Sequence, residues 1–329
     1  MRRKPLAVTL ASLLGILGSV SAAHAGNGGF GPVDPVSPNG ERIEDAYYLI
    51  AAFAIFVFLL VTVPLVVFIV RFRSRGRART VEGPQIRGNT SLELAWTAVP
   101  VVILAIVAGF VFYKLPGITE PSSAAGADEL AIGVEGRQFY WQYTYGNGVI
   151  AIDNLRVPVD RVVRLEITAP EHDVVHSYWI PAIGGKFDAI PGETTELEFI
   201  AEREGVYPGQ CTEFCGLQHG VMTASLEVLP GAEFDSWLES EARAQETGES
   251  DLGQITFAGA CAKCHGMQGE GLIGPALAGN PTIEQRDAVE EVVRNGRGEM
   301  PAVGRGWSDR QLDALLRYMQ RELGGESGG

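Results

Sequence analysis

Basic charge is in short supply. The chain has 26 Lys and Arg against 40 Asp and Glu, a formal net charge of −14. A polyphosphate partner needs a basic surface, so nucleic acid is excluded as a ligand. Cysteine is scarcer still, with four residues in 329, all at or after position 211. Histidine is limited to five, so any imidazole-ligated centre draws on very few candidates. No long apolar run occurs after residue 118, which confines membrane crossing to the first third of the chain. There is no internal repeat. No cluster of residues has the pattern of a nucleophilic or acid–base active site.

The N-terminus, M-R-R-K-P-L-A-V-T-L-A-S-L-L-G-I-L-G-S-V-S-A-A-H-A-G, joins a basic start to a short apolar run and a small-residue end at Ala23-His24-Ala25. It reads as a secretory signal over residues 1–25, cleaved after Ala25. Residues 26–45 form an N-terminal segment, and its Gly- and Pro-rich part, 26–40, is expected to be irregular. Residues 46–70 form an uncharged run of 25 residues, enough to cross a hydrocarbon core of about 30 Å. A second span covers about 94–115, so the membrane hairpin occupies 46–118. The loop between the spans carries Arg71, Arg73, Arg75, Arg77, Arg79 and Arg87. The positive-inside rule puts that loop in the cytoplasm and everything after about residue 118 on the other side. Glu93, in L-E-L-A-W, stands at the cytoplasmic mouth of the second span. An ionisable group there is either a functional site or an interfacial residue in contact with water.

Beyond a short linker at 119–127, residues 128–230 alternate as β-strands between Gly, Pro and Asp turns, the pattern of a sandwich or barrel. An acidic linker at 231–253 follows, with seven acidic residues and one arginine. Phe234, Trp237 and Leu238 give its first half a helical turn or two. Residues 254–325 form a separate unit with helical patterns at 283–294 and 309–323.

The cysteines carry the chemistry. Cys261-Ala-Lys-Cys264-His265 is C-x-x-C-H, the attachment signature of c-type haem. Its histidine is the proximal ligand. Met300, in the loop G-E-M-P-A, is the expected distal ligand, and a methionine there raises the reduction potential. Met267 is too close to His265 to reach the opposite face, and Met319 falls on the last helix as a core residue.

The other pair lies in Q-C-T-E-F-C-G-L-Q-H-G-V-M, residues 210–222. A disulfide between Cys211 and Cys215 leaves His219 and Met222 without a role. A zinc site has no use for the thioether. A blue-copper centre takes one thiolate, two imidazoles and a weak axial methionine, and this loop has one thiolate too many. Two thiolates can instead bridge two copper ions. The second imidazole must come from E-H-D-V-V-H-S-Y-W-I-P. There His176 precedes an apolar strand and His172 reads as a polar turn residue.

With D-V-V-H-S-Y-W-I-P, K-F-D-A-I-P-G and the 210–222 loop, the chain resembles subunit II of haem–copper cytochrome c oxidase with a fused C-terminal cytochrome c domain, the caa3 type. The resemblance covers the spans, the β domain and the haem unit. It implies a two-helix transmembrane hairpin, a cupredoxin-like β-barrel and an all-α class I cytochrome c domain. It implies a binuclear CuA centre on His176, Cys211, the backbone carbonyl of Glu213, Cys215, His219 and Met222. The Glu213 carboxylate would help hold Mg²⁺ or Mn²⁺ against subunit I, and Glu93 would be the cytoplasmic proton-uptake residue. Electrons would arrive from cytochrome c or a quinol:cytochrome c reductase, pass from haem c to CuA, and continue to haem a of subunit I, where O2 is reduced and protons are pumped. The implied home is a bacterial cytoplasmic membrane, with both termini and both extramembrane domains on the periplasmic side. One departure stands out. Oxidases fed by soluble cytochrome c often show W-Y-W, whose first Trp receives the electron. Here the stretch is Phe139-Tyr140-Trp141, so Phe139 takes that place. The alternatives from the residues are a copper-delivery protein and a copper-dependent nitrogen-oxide reductase component.

Overall fold

A serine that caps a helix joins the membrane and extramembrane parts of the chain. In the computed structural model, which describes residues 31–73, 83, 85–119 and 129–324, helix α1 spans Pro38–Arg71. It starts where the sequence supplies a cap. The Ser37 side chain accepts from Gly40 N, and Pro38 occupies the first turn, where its missing N–H costs nothing. Helix α2 spans Thr90–Lys114 and is capped by Asn89. Both are apolar around the circumference and exposed along their hydrophobic length, as expected of helices that meet lipid or a membrane partner. Lys114 Nζ and Asp45 Oδ2, 2.5 Å apart, tie the C-terminal end of α2 to the N-terminal part of α1.

The expectation that 26–40 lacks regular structure holds for the described residues 31–37, and it fails at 38–40, which open helix α1. From Val36 onward the chain docks on the β domain. Val36 N donates to Ala182 O, Ser37 Oγ to Ile183 O and Asn39 Nδ2 to Glu198 O. Three short polar or apolar residues thus fix the helix start to the 3₁₀ turn Pro181–Ile183 and to strand Thr195–Ile200. The expected signal at 1–25, Arg75, Arg77 and Arg79 of the basic loop, most of the 119–127 linker and the tail at 325–329 lie outside the described residues.

The β domain is two five-stranded sheets. Strands β1 (Leu130–Arg137), β2 (Tyr140–Tyr145), β3 (Ile150–Ile152), β5 (Val162–Thr168) and β8 (Thr195–Ile200) form one, ordered β3-β2-β1-β5-β8. Strands β4 (Asn154–Pro158), β6 (His176–Trp179), β7 (Phe187–Ala189), β9 (Gly205–Cys211) and β10 (Thr223–Leu229) form the other, ordered β4-β10-β9-β6-β7. Alternation fixes which face is buried. In β5, Val163, Leu165 and Ile167 are fully buried while Arg164 and Glu166 point outward. Each such apolar side chain contributes about 1.5–3 kcal/mol by leaving water.

The acidic stretch is more ordered than its composition suggests. Residues Gly231–Thr247 form a 17-residue helix, α3, rather than a turn or two. Phe234 and Trp237 pack on Tyr145, and the Gln245 amide grips the exposed edge of β3, donating to Ile150 O and accepting from Ile150 N. The helical unit follows. Helix α4 (Leu252–Thr256) continues through a π-helical turn at Phe257–Cys261 into α5 (Ala262–His265). Helices α6 (Arg286–Asn295) and α7 (Asp309–Glu322) complete it.

The two extramembrane units share a core. Tyr140, Ile150 and Ile152 of the β domain belong to one buried apolar cluster with Phe257, Trp307 and Leu312 of the helical unit. A Cβ at Gly259 would lie 2.2 Å from Ile152 Cγ2, so only glycine allows the π-helical turn to approach β3 this closely.

Candidate metal centre and covalent cofactor cavity

Three strand ends of one sheet hold the 211–222 loop. Cys211 closes β9, His176 opens β6, and Met222 immediately precedes β10. Strands β9 and β10 are antiparallel neighbours, and the Cys211 N–H donates to Met222 O at 2.9 Å, which pins the base of the loop. Strand β6 lies beside β9 with Tyr178 opposite Cys211. The loop itself turns at Gly216 and carries one 3₁₀ turn at His219–Val221.

This frame brings the predicted ligands together. Cys211 Sγ lies 4.0 Å from His176 Nδ1 and 3.3 Å from Glu213 O. Cys215 Sγ lies 3.6 Å from His219 Nδ1 and 3.7 Å from Met222 Sδ. Among the described residues, ligand atoms of His176, Cys211 and Cys215 all lie within 4.8 Å of one another. All four cysteines are free thiols. Two thiolates, two imidazoles and a thioether form a soft donor set that fits copper and leaves no work for a hard cation. His172 is exposed in the turn before β6.

The two thiols divide one proton unequally. A hydrogen bond from the Cys215 thiol, backed by His176 and nearby backbone groups, lowers Cys211 to about 3 despite its burial. Cys215 is raised, because the proton it shares with Cys211 stays on it and a neighbouring thiolate opposes a second charge. At His176, burial opposes the charged form, but hydrogen bonds to Asp173 and Cys211 outweigh it and the net shift is upward. Asp173 was not foreseen. Its Oδ1 sits 3.2 Å from His176 Nε2, which orients the ring and leaves Nδ1 for the thiolate side. The available signal was an acid three residues before the histidine.

Beside this loop lies a cavity of about 710 Å³ in the helical unit, lined by Cys261, Cys264, His265 and Met300 together with Phe139 and Leu217 of the β domain. The size is within the range of about 300–1,000 Å³ usual for cofactor sites. His265 Nδ1 is held 2.7 Å from Pro275 O, so Nε2 is the nitrogen left for a ligand. Burial pushes the Cys261 thiol up to about 12 and raises Cys264, so both are neutral thiols in this state. Met300 is half-buried on the cavity wall, buried Met319 of the last helix lines the same cavity, and Met267 is exposed. The donor set and volume fit a covalently attached haem.

Phe139 connects the two sites. It lines the cavity, and a Cβ on Gly216 of the metal loop would lie 3.1 Å from its ring. Next to it, Gln138 Nε2 donates to Cys215 O at 2.7 Å. Trp141 stacks edge-on against His176 with ring centroids 6.0 Å apart, while Tyr140 faces the helical unit. Glu93 sits in the first turn of α2, where its carboxylate accepts from Asn89 N at 3.2 Å, a capping contact. The Glu213 carboxylate is exposed.

Known families match the chain in the same order as these parts. "Cytochrome C oxidase subunit II, transmembrane domain" matches residues 25–113, "Cytochrome C oxidase subunit II, periplasmic domain" matches 148–229, and "Cytochrome C oxidase, cbb3-type, subunit III" matches 248–319. Cytochrome c oxidase subunit 2 of Alkalihalophilus pseudofirmus is 32% identical over 298 residues, covering 80% of this chain and 84% of that protein. The Bacillus subtilis subunit 2 is 32% identical over 216 residues, covering 61% of this chain and 60% of that protein. The crystal structure of the periplasmic domain of cytochrome oxidase subunit II from Bradyrhizobium japonicum is 33% identical, covers 37% of this chain and 98% of its own, and gives a TM-score of 0.34.

Proposed function

The chain belongs to the cytochrome c oxidase subunit II family, and from that premise we propose that it is the electron-receiving subunit of a caa3-type, proton-pumping oxidase that reduces O2 to water. When bound, a covalent haem c and a binuclear copper centre supply one-electron storage between an outside donor and haem a of subunit I. The parts divide as a hairpin over 46–118, a copper domain over 128–230, the acidic segment 231–253 and a cytochrome c domain over 254–325.

Cys211 and Cys215 would hold the metals through sulfur. His176 and His219 would supply one imidazole each, and Met222 and the Glu213 carbonyl would be weaker donors. Soft sulfur donors suit reduced copper and imidazoles suit both oxidation states, so the set would support one-electron transfer. Asp173 holds His176 in its ring orientation. Cys261 and Cys264 would anchor the haem covalently, and His265 and Met300 would hold its iron. Phe139, Tyr140 and Trp141 would be the candidates for electron entry, and Phe139 lines the haem cavity while approaching the metal loop. The Glu213 carboxylate would contribute to a Mg²⁺ or Mn²⁺ site with subunit I, and Glu93 to proton uptake from the cytoplasm. The partners are oxidase subunit I and the remaining subunits. Cytochrome c or a quinol:cytochrome c reductase is the donor, and the home is a bacterial cytoplasmic membrane with the two domains and both termini on the periplasmic side.

The observation that carries this assignment is the convergence of His176, Cys211 and Cys215 within 4.8 Å, next to a cavity walled by Cys261, Cys264 and His265. The test is the electron paramagnetic resonance spectrum of the oxidised full-length protein, matured with haem and copper. Hyperfine structure from one electron shared equally by two copper nuclei, beside a low-spin haem signal, is the expected result. A single-copper pattern in copper-loaded protein would refute the binuclear assignment.

A further inference from the structure

Lys263 lies inside the haem-attachment motif, between Ala262 and Cys264, yet its bonds run to the other domain. Its Nζ donates to Asp153 Oδ2 at 2.6 Å and to Phe139 O at 2.8 Å. Gln218 of the metal loop, next to His219, returns a bond from Nε2 to Lys263 O at 3.0 Å. The side chains of Lys263 and Asp153 are only 15% and 25% exposed.

Asp153 is held by its own domain. It sits in the turn between β3 and β4 with a positive φ of 57°. Its N–H donates to Trp141 O, its Oδ1 accepts from Trp141 N at 2.8 Å, and its carbonyl accepts from Ser225 N. One carboxylate oxygen is therefore used at home, and the other faces the helical unit. Desolvating an ammonium and a carboxylate costs several kcal/mol per ion, recovered only when geometry and extra hydrogen bonds are good. Burial raises the Asp153 carboxyl above its ordinary range and the Lys263 ammonium opposes that shift, while both of the ammonium's hydrogen bonds cross the domain boundary.

We propose that Lys263 is a positioning residue, a latch that locks the haem domain against the copper domain through Asp153 and the Phe139 carbonyl and so sets the rate of electron transfer between them. This rests on the haem and copper assignment above. Phe139 is the contact that makes position matter, because its carbonyl is held by Lys263 while its ring touches both the haem cavity and the metal loop. In the step concerned, ferrous haem iron loses one electron and becomes ferric, and the copper pair gains that electron. No proton transfer is needed.

The test uses the full-length chain in the assembled oxidase and compares wild type with Lys263→Met, Lys263→Arg and the double variant Lys263→Met/Asp153→Asn. Two quantities are read: amide hydrogen exchange over residues 138–145 and 303–312, and the rate of copper reduction after flash reduction of the haem, at several solvent viscosities. In Lys263→Met, exchange should rise on both faces, and transfer should slow at least tenfold and become viscosity-dependent, with haem and copper potentials unchanged. Lys263→Arg should recover part of the rate. The double variant leaves no unpaired buried charge, so it separates latching from simple damage: transfer should stay slow. Wild-type exchange and rate in the double variant would overturn the proposal. If wild-type protein carried no haem or copper signal, the functional assignment would fail instead, and the exchange readout would still decide whether Lys263 locks the domains.

Discussion

Trp307 and Tyr140 meet across the domain boundary, 167 residues apart in sequence, with Trp307 Nε1 donating to the Tyr140 hydroxyl at 2.9 Å. The hydroxyl in turn donates a hydrogen bond to Val303 O, also at 2.9 Å. Both rings are buried, so the polar handle of each is satisfied only by the other domain. Tyr140→Phe should leave the indole N–H unpaired and the Val303 carbonyl with the longer 3.5 Å bond from Arg137, and cost about 1–3 kcal/mol. The check is the urea midpoint followed by tryptophan fluorescence, with haem content unchanged.

Cys215→Ser should abolish the binuclear copper signal, because an alcohol is a poor bridge and the Met222 and His219 contacts converge on that sulfur. Copper content by elemental analysis should fall, while the haem absorbance stays intact.

Met300→Ala should leave haem attached through Cys261 and Cys264 but lower its reduction potential, since a thioether ligand raises it. Potentiometric titration measures the shift, and donor oxidation should slow while the copper centre is retained. An unchanged potential would exclude Met300 as the distal ligand.

Gln245→Ala should loosen helix α3. Its amide supplies both the donor and the acceptor on the outer edge of β3 at Ile150, the side away from β2. The expected loss is about 1–3 kcal/mol, with faster amide exchange at Ile150 and through α3.

Glu227 is held below the usual carboxylate range by its hydrogen bond from Arg156, which also lies over the Trp237 ring of α3. A depressed carboxylate stabilises the fold above its unfolded pKa of about 4.3, and that contribution is lost as pH falls through the lower folded value. Glu227→Gln should therefore be less stable than wild type near neutral pH, by up to about 1 kcal/mol for a partly exposed pair. The gap should close in acid, as thermal midpoints across pH would show.

Much of the architecture could be read from short-range pattern. Uncharged runs marked α1 and α2, alternation marked the sandwich, and C-x-x-C-H with Met300 marked the cavity wall. The metal loop was legible for the same reason, since four of its ligating side chains fall within twelve residues of each other. The docking of the two domains was not legible. Its contacts pair Lys263 with Asp153 and Gln311 with Gln142, separated by 110 and 169 residues, and neither pair has a local signature. Helix α3 was underread because only Phe234, Trp237 and Leu238 mark its buried side. The grip of Gln245 on a strand edge belongs to no periodic pattern. Residues 36–40 read as loop from their composition, yet the β domain supplies the partners that order them.

The shared apolar cluster of Tyr140, Ile150 and Ile152 with Phe257, Trp307 and Leu312 also bears on modularity. A true tether would let the cytochrome unit be excised, swapped or grafted onto another oxidase at will. Here each half presents to water, once separated, the surface that the other half was shaped to cover. A transplanted cytochrome unit would need its receiving strands β2 and β3 and helix α3 to travel with it. The natural unit of exchange is therefore the whole extramembrane block, from the first β-strand to the last helix.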